Sequence, residues 1–219
     1  MRRTAHEAQR LPSRTASTWR IACLIALASV CGAAAASTPS FFPASSERGA
    51  ALAVTCLACH GPANVPVGSP AVHPPKLVGQ RPEAIYLALL AYQSGARVSP
   101  IMGPFAASLS LQQMRDLGAY LAAEGPVRPP TPAESDSWTH EKVHRDCTSC
   151  HGETGMGEMW GMPVITGQHA DYLIAALNAY RDGTRRDPTM GPIAKSLTRQ
   201  ELEQLAGYFS RQTHLRLTR

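Results

Sequence analysis

The pattern Cys-x-x-Cys-His occurs twice, at Cys56-Leu57-Ala58-Cys59-His60 and Cys147-Thr148-Ser149-Cys150-His151, inside a chain that repeats itself. Pro75-Lys76-Leu77-Val78-Gly79-Gln80 returns 88 residues later as Pro163-Val164-Ile165-Thr166-Gly167-Gln168. At the same offset, Tyr92-x-x-Gly95-x-Arg97 returns as Tyr180-x-x-Gly183-x-Arg185, and Pro100-x-Met102-Gly103-Pro104 as Pro188-x-Met190-Gly191-Pro192. Aligning 91–121 with 179–209 gives 14 identities in 31 positions, where ordinary composition gives roughly two. The two cysteine motifs lie 91 apart, so the first copy carries three extra residues between its motif and PxLxGQ. A duplication of this kind fixes the architecture before any single element is read.

The ends of each copy follow from local chemistry. Arg2, Arg3, Arg10, Arg14 and Arg20 precede an apolar run, Ile21 to Ala36, that ends in small residues. That is the pattern of a cleavable secretory signal, expected over 1–36. At 16 residues the run is shorter than the roughly 20 that span a bilayer; uncleaved, it would tie the chain to a membrane surface. Gly125-Pro126-Val127-Arg128-Pro129-Pro130-Thr131-Pro132 resists helix and reads as a spacer. The expected organisation is therefore a first domain at 37–125, a linker at 126–133 and a second domain at 134–219.

Beyond residue 36 the chain holds 16 basic and 15 acidic residues, a net of +1. No basic stripe offers itself to phosphates, and a nucleic-acid partner is not expected.

Within each copy the periodicity is helical. Ser110-Leu111-Gln112-Gln113 and Thr198-Arg199-Gln200-Glu201 fit capping boxes. They open amphipathic segments with Leu111, Met114, Leu117, Tyr120 and Leu121 on one face of the first, and Leu202, Leu205, Tyr208 and Phe209 on one face of the second. Glu83–Tyr92 and Asp171–Tyr180 predict shorter helices closed by Gly95 and Gly183, and Ser46–Val54 and Ser135–Arg145 predict helices leading into each cysteine motif. No strand pattern stands out. The fold class is all-α, and each copy is small for a purely apolar core.

CxxCH is the pattern of covalent c-type haem attachment: two thiols add to the vinyl groups of one porphyrin edge, and the next His projects under the iron. Two copies at matching places predict two covalently bound haem c groups, on Cys56 and Cys59 and on Cys147 and Cys150. A Cys₄ zinc site normally has its pairs much closer together, and disulfides within CxxC would leave His60 and His151 unexplained.

For the sixth iron position only Met102 and Met190 stand at equivalent places, 42 and 39 residues after His60 and His151, each expected in a proline-bounded loop at 99–104 and 187–192. Met114 reads as core. Met156, Met159 and Met162 read as a haem-edge lining, and His73 and His169 as surface or loop residues. Iron held by His and Met on opposite faces has no open position, which suits a carrier rather than a catalyst. Arg97 and Arg185, with Tyr92 and Tyr180 five residues before them, are candidate haem-binding residues, the arginines for the propionates.

With CxxCHG, PxLxGQ, Tyr…Gly-x-Arg, the Met segment and a terminal amphipathic helix all present twice, the sequence resembles the dihaem cytochrome c4 family. The resemblance implies two tandem class I cytochrome c domains with His60/Met102 and His151/Met190 as axial pairs. It also implies a periplasmic electron carrier between a quinol-oxidising complex and a haem–copper oxidase. A dihaem subunit of a periplasmic dehydrogenase, of the flavocytochrome sulfide dehydrogenase type, is the alternative; a dihaem peroxidase or thiosulfate dehydrogenase is a further one. The family places a small residue where the first and last helices of each domain cross. Gly49 meets this requirement, but His140 stands at the second copy's position, so the second crossing is expected to differ.

Overall fold

The computed structural model describes residues 43–61, 66–68, 71–124, 137–152, 154–157, 159–212 and 215, and for 137, 138, 140 and 144 the backbone alone. The expected signal peptide (1–36) and the linker (126–133) lie outside the described residues.

The described residues are helical, with only isolated bridges, Val67 to Val72 and Arg97 to Arg185, in extended pairing. The first half holds α1 (Ser46–His60), α2 (Pro82–Gln93), α3 (Met102–Ala107) and α4 (Leu111–Ala123). The second holds α5 (Ser137–Asp146), α6 (Thr148–His151), α7 (Ala170–Asp182), α8 (Met190–Ser196) and α9 (Arg199–Arg211).

Both predicted capping boxes form. Ser110 accepts from the Gln113 amide while Gln113 accepts from the Ser110 amide, and Thr198 and Glu201 do the same. Gly183 ends α7 in the left-handed conformation, φ 83°. The amphipathic faces are buried where expected, except that Tyr120 is only partly buried and Leu111, at the exposed first turn of α4, is 46% accessible. Met114 is fully buried core. Two apolar clusters result, Val78, Ile85 and Leu121 in the first half and Val143, Leu173, Leu205 and Phe209 with neighbours in the second.

The helices leading into the cysteine motifs differ from expectation and from each other. α1 continues past Val54 through both cysteines to His60, whereas the second breaks at Cys147 into α5 and α6. α1 packs extensively on α4, and α5 meets α9 far less. Gly49 makes the first crossing possible. A Cβ there would run into the backbone carbonyl of Asp116 and come within 2.8 Å of the Tyr120 Cβ. Beside it, the buried Asp116 carboxylate accepts from the Ser45 amide at 2.8 Å and from Arg48 Nε and Nη2 at 2.8 and 2.9 Å.

The halves are joined through their repeated segments. Gln80 donates to the Val164 carbonyl (2.9 Å) and accepts from the Val164 amide (2.6 Å). Gln168 donates to the Lys76 carbonyl (3.1 Å) and accepts from the Lys76 amide (2.9 Å). Gln80 and Gln168 are equivalent in the repeat, as are Lys76 and Val164. The exchange is therefore pseudo-twofold.

Candidate functional site

Each cysteine motif ends on a buried, oriented histidine. His60 Nδ1 lies 2.7 Å from the Pro75 carbonyl and His151 Nδ1 lies 3.1 Å from the Pro163 carbonyl. With Nδ1–H engaged on a carbonyl, Nε2 is the nitrogen left to bind a metal, the usual arrangement around a metal-bound imidazole. Burial, first of all, holds both imidazoles below their ordinary pKa; Arg97 pushes His60 the same way and Arg185 pushes His151. Burial thus favours the neutral imidazole, the form that binds a metal. The sequence contained these two prolines as a motif, but nothing in it marked their carbonyls as the histidines' partners.

None of the four motif cysteines is in a disulfide. Burial pushes Cys147 up to about 11 and raises Cys56. That is the opposite of the depressed pKa of a catalytic thiolate.

Met102 and Met190 begin short helices, α3 and α8, rather than sitting within loops. The bounding residues fix the turn in both: the Met102 amide donates to Ser99 Oγ at 3.1 Å, and the Met190 amide donates to Asp187 Oδ1 at 2.7 Å. Both methionine side chains are half-buried. Of the unrepeated methionines, Met159 is 52% accessible.

Arg97 and Arg185 meet at the boundary of the halves. Their backbones form an antiparallel bridge, flanked by Val98 N–H to Thr184 O at 2.8 Å and Arg186 N–H to Ala96 O at 2.7 Å. Each guanidinium stacks on its own half's tyrosine, Arg97 at 4.5 Å from the Tyr92 ring centre and Arg185 at 4.4 Å from that of Tyr180. Cation–π stacking of this kind explains why Tyr and Arg recur together. Tyr172, whose repeat partner is Ala84, was not anticipated. It inserts between them, and Arg97 Nη2 donates to its hydroxyl at 2.8 Å. Burial raises the Tyr172 pKa, but the two guanidiniums outweigh it and bring the phenol down to about 8.

Arg97, Arg185, Tyr92 and Tyr172 line a cavity of about 190 Å³, and among the described residues no carboxylate stands in its wall. Two like charges facing a cavity without a counter-charge fit the propionates of haem, and two oriented neutral histidines beside paired thiols fit its iron and vinyl edge. The residues present suit the group.

His73 and His169 lie outside the helices, as expected, but they do more than cover a loop. They stack across the halves with ring centres 4.8 Å apart, and Asp171 Oδ2 accepts from the His73 amide at 2.9 Å and lies 2.8 Å from its Nδ1.

The cytochrome c family pattern matches residues 141–212. The thiosulfate dehydrogenase electron acceptor of Stutzerimonas stutzeri is 35% identical, over 88% of this chain and 94% of the relative. Cytochrome c4 of Pseudomonas aeruginosa is 31% identical over 73% and 85%. Among solved structures, reduced cytochrome c4 from Pseudomonas stutzeri matches with TM-score 0.61 and 26% identity, over 76% of this chain and 98% of that one. A thiosulfate dehydrogenase (TsdBA) from Marichromatium purpuratum matches with the same score and identity, but this chain spans only 40% of it. With both halves, both cysteine motifs and both oriented histidines in place, the chain belongs to the dihaem cytochrome c4 family: an electron carrier of two class I cytochrome c domains with covalently bound haem c.

Proposed function

We propose that the chain is exported to the periplasm by a cleaved signal at 1–36 and works there as a two-site electron relay, with domains at 37–125 and 134–219. Cys56 and Cys59, and Cys147 and Cys150, form the thioether links; His60/Met102 and His151/Met190 are the axial pairs. Arg97 and Arg185, braced by Tyr92 and Tyr180, bind propionates. Haem c supplies a one-electron ferric/ferrous couple. These side chains would hold the haem on both faces, keep water from it and supply positive charge near each centre. The observation that carries this reading is the duplication of the whole constellation, oriented histidine, Met turn and Tyr–Arg pair alike.

The donor we favour is a periplasmic dehydrogenase, because a 35% identical relative of nearly equal length is an acceptor for thiosulfate dehydrogenase. Likeness to cytochrome c4 supports a second reading, in which a quinol-oxidising complex is the donor. The acceptor in both is a haem–copper oxidase. Spectroelectrochemical titration of the holoprotein tests the ligands: Met102→Ala and Met190→Ala should each remove one Met-ligated signal and lower one potential. If both signals survive either change, the assignment is wrong. Stopped-flow mixing with reduced thiosulfate dehydrogenase or with a quinol-oxidising complex separates the donors, and carbon monoxide binding to the native reduced protein would point to an enzyme instead.

A further inference from the structure

The glutamine exchange between the halves and the histidine–carbonyl bonds inside each half share the same two peptide groups. The Pro75–Lys76 peptide offers its carbonyl to His60 Nδ1 at 2.7 Å and its N–H to Gln168 Oε1 at 2.9 Å. The Pro163–Val164 peptide offers its carbonyl to His151 Nδ1 at 3.1 Å and its N–H to Gln80 Oε1 at 2.6 Å. Each histidine of one half is thus hydrogen-bonded, through a single amide, to a glutamine of the other. Gln80 and Gln168 are 8% and 3% accessible, so little water competes for these bonds.

An amide whose N–H is engaged becomes more polarised, and its oxygen becomes the better acceptor. A stronger bond from Nδ1–H gives the imidazole more anionic character and raises its basicity as a ligand, which favours ferric iron and lowers the potential. We infer that Gln80 and Gln168 are positioning residues for electron transfer, each setting the potential of the centre in the opposite half through the Pro–Lys or Pro–Val peptide. Both glutamines also fix their own segments, since Gln80 Oε1 accepts from the Arg81 amide at 3.0 Å and Gln168 Oε1 from the His169 amide at 3.1 Å. The crossed connection is what separates a tuning role from a local structural one. It rests on His60 and His151 being axial ligands.

The test uses the full-length holoprotein with Gln168→Met and Gln80→Met, which keep side-chain length and remove the acceptor. Potentials are assigned to each haem by its methyl proton signals, and exchange of the Lys76 and Val164 amides is followed in parallel. Gln168→Met should raise the potential of the haem on His60, leave that on His151 near its original value and speed exchange at Lys76. Gln80→Met should do the converse. Gln168→Glu keeps shape and acceptor and strengthens the acceptor with a charge, so the His60 haem should fall rather than rise; it serves where a Met variant does not retain its haems. A shift confined to the variant's own half, an equal shift in both, or no shift overturns the inference. Failure of the ligand assignment is recognised separately, by wild-type protein that lacks low-spin His/Met spectra.

Discussion

Arg97 of the first half donates to the hydroxyl of Tyr172 in the second at 2.8 Å, while its guanidinium lies over the ring of Tyr92. The arginine that the repeat marks as a site residue is therefore held from both sides of the domain boundary. Arg97 acts on His60, and Arg185 on His151, each lowering the pKa of the histidine in its own half. A fixed cation near an iron centre disfavours the ferric state. Arg97→Ala should accordingly lower the potential of the His60 haem and Arg185→Ala that of the His151 haem, each with a smaller effect on the other centre. Tyr172→Phe leaves both charges in place, so it should lower stability by about 1 kcal/mol while moving the potentials less. Redox titration and thermal melts of the three holoproteins check this pattern.

His169 gives the boundary a pH dependence of known sign. Burial first, then Lys76 and His73, bring its pKa down to about 4 from the ordinary 6.5, against the opposing pull of Asp171. Its Nε2 is covered and has no hydrogen-bond partner among the described residues. Neutral imidazole is favoured in the folded protein, so the unfolded chain takes up the proton first. The resulting stability is present above about pH 6.5 and is lost as pH falls towards 4. The difference in melting temperature between wild type and His169→Gln should shift against the wild type across that window and stay constant above it. A pH-independent difference would show that His169 does not titrate there.

Much of each domain was legible because its signals are local. Ser110 and Thr198 mark helix starts through bonds three residues away, and Met114, Leu202 and Leu205 follow a helix face that needs no distant partner. Met102 and Met190 were legible as positions because the repeat singled them out, although the start of a helix at each was not. What stayed hidden depends on the register between the halves. Gln80 and Gln168 were visible as a motif without a role, since their partners lie 84 and 92 residues away. His73 and His169 read as loop residues, and their stacking across the halves stayed hidden for the same reason. Tyr172 left one readable trace: it breaks the repeat, standing where the first half has Ala84.

The Gly49 crossing should tolerate no added atom. A methyl group there meets the Asp116 carbonyl, which is helix backbone and cannot rotate aside. Gly49→Ala should cost about 1–3 kcal/mol, the usual range for overpacking a tight interior, and Gly49→Val more. Loss should appear first in the spectral signal that the proposed ligation assigns to Met102, because the strain falls on α1 and α4. An unchanged melting curve would mean that the helices separate at no cost.

Asp116 anchors the same crossing by charge, and the second half has no equivalent: Thr139 and Gln204 occupy the positions that duplicate Arg48 and Asp116. The carboxylate accepts from Arg48, from the Ser45 amide that starts α1 and from Gln112 at 3.0 Å. Hydrogen bonding from Arg48 is the main reason its pKa lies below the usual carboxylate range. A depressed carboxylate stabilises the fold above its unfolded pKa, and the gain disappears as pH drops through the folded value. Asp116→Ala should therefore cost about 2 kcal/mol at neutral pH, the range for bonds to a charged acceptor, and progressively less in strong acid. The loss should fall on the first domain, read as earlier release of the Met102 signal on heating while the Met190 signal holds. Equal loss of both signals would mean that the two domains unfold as one unit and that the clamp serves the whole molecule.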